Sequence, residues 1–166
     1  MHIRPGQFLL STPLLDDTFF EQTILVITEV NDDGCIGFII NQLHGRMLNE
    51  LAEFRQGPAQ PLYNGGPVQS DMLYCLHSRP DVVANSFTIC EGLATGGDFA
   101  TVVSLLKAGK LSSHEVKCLI GYCGWDAGEL EAEIAEGSWL LIEAPVAKTF
   151  ANDVQTIWQL WQSQYR

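Results

Sequence analysis

Apolar residues in this chain fall into short runs separated by clusters of turn formers, and the first runs read as strands. FLLS (residues 8–11) predicts a short strand. TILVITEV (23–30) is β-branched and apolar, and CIGFIIN (35–41) repeats that character. Between them stands Asn31-Asp32-Asp33-Gly34, a turn former at every position, so the two runs predict a β-hairpin. Gly37, inside the second run, predicts a bulge or a close backbone approach.

The period then changes. Met47, Leu48, Leu51 and Phe54 recur at helical spacing and predict a short helix that ends before Gly57-Pro58. LYNGGPV (62–68) predicts a structured turn, with strands over 72–77 and 86–90. Gly96-Gly97-Asp98 opens a helix capped by Asp98, with Phe99, Val102, Val103 and Leu106 on one face until Gly109. VKCLIGYC (116–123) predicts a strand that ends in Gly124-Trp125. Asp126 and Glu129 then form a capping box for a helix through Glu136. Gly137 stops that helix, and 139–142 is a strand. Val154, Ile157, Trp158, Trp161 and Tyr165 mark a C-terminal amphipathic helix. Strands come first, then helices interleaved with strands. This order predicts a single α/β (α+β) domain over 1–166 with a mixed, largely antiparallel sheet.

Charge narrows the partners. The 166 residues include 20 acidic and 9 basic side chains, a formal charge of −11. The basic residues (Arg4, Arg46, Arg55, Arg79, Lys107, Lys110, Lys117, Lys148 and Arg166) are dispersed along the chain. Duplex binding needs Lys and Arg gathered against phosphates, so direct nucleic-acid binding and anionic membrane surfaces are both disfavoured. The five cysteines, at 35, 75, 90, 118 and 123, are odd in number and sit mostly inside apolar runs, which predicts reduced, packed thiols. The opening Met-His-Ile-Arg-Pro-Gly has no apolar stretch of signal-peptide type, and no run approaches the ~20 residues that span a bilayer. A cytoplasmic location is the expectation.

Candidate chemistry is sparse. Asn64-Gly65-Gly66-Pro67 offers backbone N–H groups to an anion but lacks the spacing of G-x-G-x-x-G and the Lys of a P-loop, so a turn that needs φ > 0 is the better account. In Gly121-Tyr122-Cys123-Gly124-Trp125, Cys123 sits at a predicted strand-to-helix junction, where a thiol is activated by a helix N-terminus. No His lies near it in sequence, and Asp126 and Glu129 oppose a thiolate. Cys75 and His77 share a strand face without further zinc ligands, and Glu129 and Glu133 share a helix face that reads as solvated. The Trp158, Trp161 and Tyr165 stripe reads as core, or else as a partner surface. No catalytic, cofactor-binding or metal-binding residue is assigned. Asn64, Gly65, Gly66, Tyr122, Cys123 and Trp125 form the candidate functional surface.

In order, LLSTPLLDDTFFEQTILVITEVNDDGCIGFIIN (9–41), NGGPVQSDMLYCLH (64–77), GGDFATVVSLLKAG (96–109) and GYCGWDAGELEAEI followed by SWL (121–140) resemble the AlgH/YqgE family of bacterial proteins. The resemblance implies a compact domain with a bent, barrel-like mixed sheet packed by helices. It implies no catalytic residues. One branch of the family is called a transcriptional regulator on genetic grounds, so the resemblance implies a non-enzymatic regulatory or interaction protein. The charge then points to action through a protein partner. This sequence departs from the family pattern at Gln22, where Arg is usual, at Gln42-Leu43, where a basic residue and Pro are usual, and at Cys123, where a smaller residue is usual. The alternative is an enzyme or small-molecule binder with a cleft between the Gly65-Gly66 turn and the Gly121–Trp125 junction.

Overall fold

The computed structural model describes residues 2–154 and 156–165. Ten strands form one sheet: β1 (Phe8–Ser11), β2 (Ile24–Asn31), β3 (Gly34–Ile39), β4 (Leu43–Met47), β5 (Pro61–Asn64), β6 (Val68–His77), β7 (Ser86–Cys90), β8 (Leu93–Gly96), β9 (Val116–Asp126) and β10 (Trp139–Ile142). The main path runs β10-β1-β2-β3-β9-β6-β8-β7, with β4 paired to β5 and β5 to β9. All described pairings are antiparallel except β5 with β9. Helices α1 (Phe99–Lys107), α2 (Glu129–Ala135) and α3 (Ile157–Gln164) pack around it. The expected α+β domain with a bent, largely antiparallel sheet is what the chain forms.

The 11-residue β9 organises the sheet. Residues 116–122 pair with β6 on one side, while 118–120 pair with β5 on the other. Beyond Tyr122 the strand changes partner, and Cys123, Gly124, Trp125 and Asp126 pair with Gly37, Ile36, Cys35 and Gly34 of β3. Gly65 stands at the fork. Its N–H donates to Ile120 (2.7 Å) and its carbonyl accepts from Ile39 N–H (2.9 Å), so it bridges β9 and β3 where they diverge.

Alternation along the strands divides the interior. One cluster holds Phe8, Leu10, Ile24, Val26, Phe38, Leu119 and the α3 residues Ile157, Trp158 and Trp161. On the opposite face, Leu9, Leu25, Ile27, Trp125 and Trp139 pack under Leu130 of α2. A third group joins Leu62, Cys75, Val116 and Cys118 to Val102 and Val103 of α1. The C-terminal aromatic stripe is therefore core: Trp161 meets Phe8 edge-on at 5.1 Å, and Trp158 Nε1 donates to Ser11 O at 3.0 Å.

Several expectations are corrected. The helix expected through Met47, Leu48, Leu51 and Phe54 is strand β4 followed by two single 3-10 turns, Leu48–Glu50 and Ala52–Phe54. Leu51 between them is extended (φ −78°, ψ 137°), and Leu48 N–H is taken by Gln60 O at 2.7 Å. A four-residue apolar pattern does not sustain helix nucleation against such long-range partners. The 62–68 turn is instead the end of β5, a two-glycine crossing, and the start of β6, which begins four residues before the expected Met72. An irregularity between Val68 and Leu73, with Gln69 at φ +47°, hid that start. Strand β8 and the 3-10 segment Val146–Phe150 carried no periodic signal of their own.

The 121–129 junction also differs. The strand does not end at Cys123, because β3 supplies partners as far as Asp126. Gly124 is mid-strand, and the reversal falls on Ala127-Gly128, with Gly128 at φ +83°. Only half of the expected capping box exists: Asp126 N–H donates to Glu129 Oε1 at 3.2 Å, and no side chain caps the helix in return. Asp98 does precede α1, but its carboxylate accepts from the Thr101 hydroxyl (3.1 Å), not from a backbone N–H.

Candidate functional site

The six candidate residues meet around one backbone crossing. A Cβ on Gly66 (φ +156°) would lie 2.1 Å from the Tyr122 carbonyl, one on Gly121 (φ +76°) 2.2 Å from Gly66 O, and one on Gly65 2.4 Å from Gly121 O. The two glycine motifs thus come together as chain packed on chain, with no ligand-sized gap between them. Asn64 is occupied structurally, since its N–H and its Nδ2 both donate to Gln42, to the carbonyl and to Oε1.

Cys123 is buried, with its Sγ 3.5 Å from Gly65 O. Burial pushes its thiol up to about 12, the opposite of what a nucleophile requires. Cys35 rises to about 11 for the same reason, helped by Glu131 and Glu133. All five cysteines are free thiols, and only Cys90 is half-buried. Among the described residues no group of three or more His, Cys, Asp and Glu side chains gathers in a metal-binding arrangement.

What the junction does border is a groove of about 340 Å³ on the sheet face over β2, β3 and β9. Its floor follows from strand register. Glu29, Ile36 and Gly124 form one cross-strand row, and Asn31, Gly34 and Asp126 form the next. Gly34, in the middle of its row, and Gly124, at the end of the other, remove side chains and leave a depression. Val68, Ile36 and the Tyr122 ring form its apolar walls, while Glu29, Asp33 and Asp126 ring it with carboxylates. None of the three carboxylates belongs to an ion pair among the described residues. Tyr122 continues an aromatic series that starts in the core, Phe38 to Tyr74 (5.5 Å) and Tyr74 to Tyr122 (5.8 Å, edge-on). Trp125 borders the groove, yet its ring is buried on the other side of the sheet against Trp139. The structure therefore brings Tyr122 and Trp125 to this groove and leaves Asn64, Gly65, Gly66 and Cys123 behind it in packed chain.

Sequence reasoning missed Glu29, Asp33 and Ile36, which reach the groove through the pairing of β3 with β9, and Val68, which reaches it by pairing with Tyr122. It also passed over Lys117. This side chain is 2% exposed, and its ammonium donates to Ile40 O (2.7 Å) and Ala151 O (3.4 Å) and lies 4.2 Å from the Tyr63 ring centre. Among the described residues no carboxylate pairs with it, and desolvation lowers its pKa to about 7. A lone Lys inside the apolar run VKCLIGYC was the available signal.

Comparison with known proteins agrees with the resemblance noted above. A UPF0301 protein of Chlorobaculum tepidum is 36% identical over 157 residues, covering 94% of this chain and 83% of the relative. One of Chlorobium luteolum is 37% identical over 153 residues, covering 92% and 81%. The solution structure of the AlgH protein from Pseudomonas aeruginosa superimposes with a TM-score of 0.76 at 30% identity, covering 100% of this chain and 90% of that one. A crystal structure of a Corynebacterium diphtheriae protein shares the fold (TM-score 0.81, 18% identity, 100% and 89% covered). Residues 8–165 match the AlgH-like family as a whole, and the chain belongs to it.

Proposed function

We propose that this chain is a non-enzymatic, cytoplasmic regulatory protein that acts through a protein partner, and that the partner docks in the groove over Gly124. The observation that carries the reading is the pairing of an apolar, aromatic-walled floor with three unneutralised carboxylates at its rim. Such a surface favours a segment that places an apolar side chain on Ile36, Val68 and Tyr122 and a Lys or Arg beside Glu29, Asp33 or Asp126. Val68 and Met72, 37% and 49% exposed, carry apolar surface outward along β6. The same carboxylates, within a net charge of −11, repel phosphate, so an effect on transcription would run through a protein and not through contact with DNA.

Gly124 provides the test. Its backbone needs no positive φ, and an added Cβ would meet only the Tyr122 ring, at 3.5 Å. Gly124→Val therefore fills the groove from a position that accepts a Cβ, and its denaturation midpoint reports on the fold. Affinity capture from the native host with the wild-type chain, followed by titration of the purified partner, should give an affinity that Gly124→Val lowers at least about tenfold and that falls with added salt. A partner that binds both chains equally refutes this groove. Sequence-selective DNA binding by the pure protein in a gel shift refutes the indirect route.

A further inference from the structure

We propose that a second groove, between α1 and the 3-10 turn Ala52–Phe54, binds a small organic anion with an apolar body, an aryl or alkyl phosphate or carboxylate. It shares no lining residue with the groove over Gly124.

The inference starts from where the few cations go. Arg4 pairs with Glu143, Arg79 holds Asp81 and Glu115, and Lys117 is spent on core carbonyls. Arg46, Arg55, Lys107, Lys110 and Lys148 have no carboxylate partner among the described residues. Two of these five share a groove, and a third stands beside it. Arg55 and Lys107 line a groove of about 480 Å³, and Lys110 lines the adjoining depression on the same helix, which shares Ala100 and Ser104 with it. Lys107 stands in the last turn of α1, where it also complements the helix dipole, and Lys110 lies beyond the helix end, past Ala108 and Gly109.

The walls define the other half of the ligand. Ala52, Phe54, Ala100 and Val103 give an apolar lining, and Ser104 and Gln56 add a hydroxyl and an amide. Gly57 lets the turn close down on the helix, because a Cβ there would sit 3.0 Å from both Val103 Cγ1 and Phe54 O. Glu53 is the one carboxylate on this lining, and Asp98 faces the adjoining depression with Lys110. The volume falls within the ~300–1,000 Å³ of small-molecule sites. A cationic mouth over an apolar floor fits an anionic head on a hydrophobic body, which neither part of the groove would hold well alone.

The experiment is a ¹⁵N NMR titration of the full chain at pH 7 and low salt with phenyl phosphate, inorganic phosphate and phenol. Phenyl phosphate should saturate, with a Kd at least about tenfold below those of both fragments, since head and body contribute together. Its shifts should centre on residues 52–57 and 100–107. Arg55→Gln and Lys107→Gln should each weaken it about fivefold or more, and Lys148→Gln should leave it unchanged. Equal binding of phenyl phosphate and inorganic phosphate, shifts spread over Arg46 and Lys148, or indifference to Arg55→Gln would each overturn the site. The variants' own spectra report whether they fold.

Discussion

Lys117 makes stability depend on pH in a way that can be worked out in advance. Folding takes its pKa from 10.5 to about 7, through desolvation alone. Between those values the unfolded chain holds a proton that the folded chain has released, so stability rises with pH across that window. The thiols act in the opposite sense. Cys35, Cys75, Cys118 and Cys123 are all raised from 9.0 by burial, so the unfolded chain loses protons first and stability falls as pH passes 9. One lysine rising against four thiols falling places the maximum where each unfolded thiol is about a quarter ionised, near pH 8.5. From pH 7 to that maximum the net gain is on the order of 1 kcal/mol, the lysine's rise outweighing the thiols' fall. The assay is urea denaturation followed by tryptophan fluorescence, in reductant, at half-unit pH steps from 6.5 to 9.5. Lys117→Met deletes the titrating group and also leaves Ile40 O and Ala151 O without their donor. The pH slope, not the absolute stability, is therefore the readout. The variant should show no rise between pH 7 and 8.5. A wild-type profile flat over that interval, or a variant profile parallel to it, would refute the account of Lys117 as an unneutralised buried amine.

Trp125→Ala should cost about 3–5 kcal/mol in the same denaturation assay, the usual range for emptying a large aromatic core site. If it folds with wild-type stability but loses partner binding, Trp125 is a surface anchor instead. Gly66→Ala should cost more than Gly124→Ala, because a Cβ at 66 meets the Tyr122 carbonyl at 2.1 Å, while one at 124 meets only a ring edge at 3.5 Å. We expect at least about 2 kcal/mol for the first and within about 0.5 kcal/mol of wild type for the second. With Ellman's reagent under native conditions Cys90 should react first, the other four thiols only on the timescale of unfolding. Prompt reaction of two or more contradicts the burial described for them.

Much of the fold was legible because it is local. The hairpin around Asn31-Asp32-Asp33-Gly34, strand β9 and the aromatic face of α3 each carry their period and their punctuation within a dozen residues. The failures share a cause. Residues 47–54 have helical spacing, but Leu48 is bound to Gln60 and the chain turns at Leu51. Gly124 looks like a strand terminator, but Ile36 lies opposite it and the strand continues. In both places a long-range backbone partner overrides a local preference worth only a fraction of a kcal/mol per residue.

The same logic explains why the candidate site was half right. Gly65, Gly66 and Gly121 were conspicuous, and glycine marks any place where backbones approach closely, whether a ligand or another strand does the approaching. Here the occupant is the chain itself: Gly66 lies on Tyr122 and Gly121 on Gly66. Gly124, four residues beyond Ile120 in the same strand, has the other kind of environment. It points away from backbone into open groove, between Ile36 and Tyr122 and beside carboxylates from β2, the β2–β3 turn and the end of β9 itself. Sequence presents all four glycines as equivalent. Only the register of β3 against β9 separates the ones that close the sheet from the one that opens it. That register also puts Glu29, Asp33 and Asp126, separated by up to 97 positions in the chain, on one rim. If Gly124→Val leaves stability unchanged and Gly66→Ala does not, the two classes of glycine are physically distinct, and the surface left available for a partner is the one the first of them would fill.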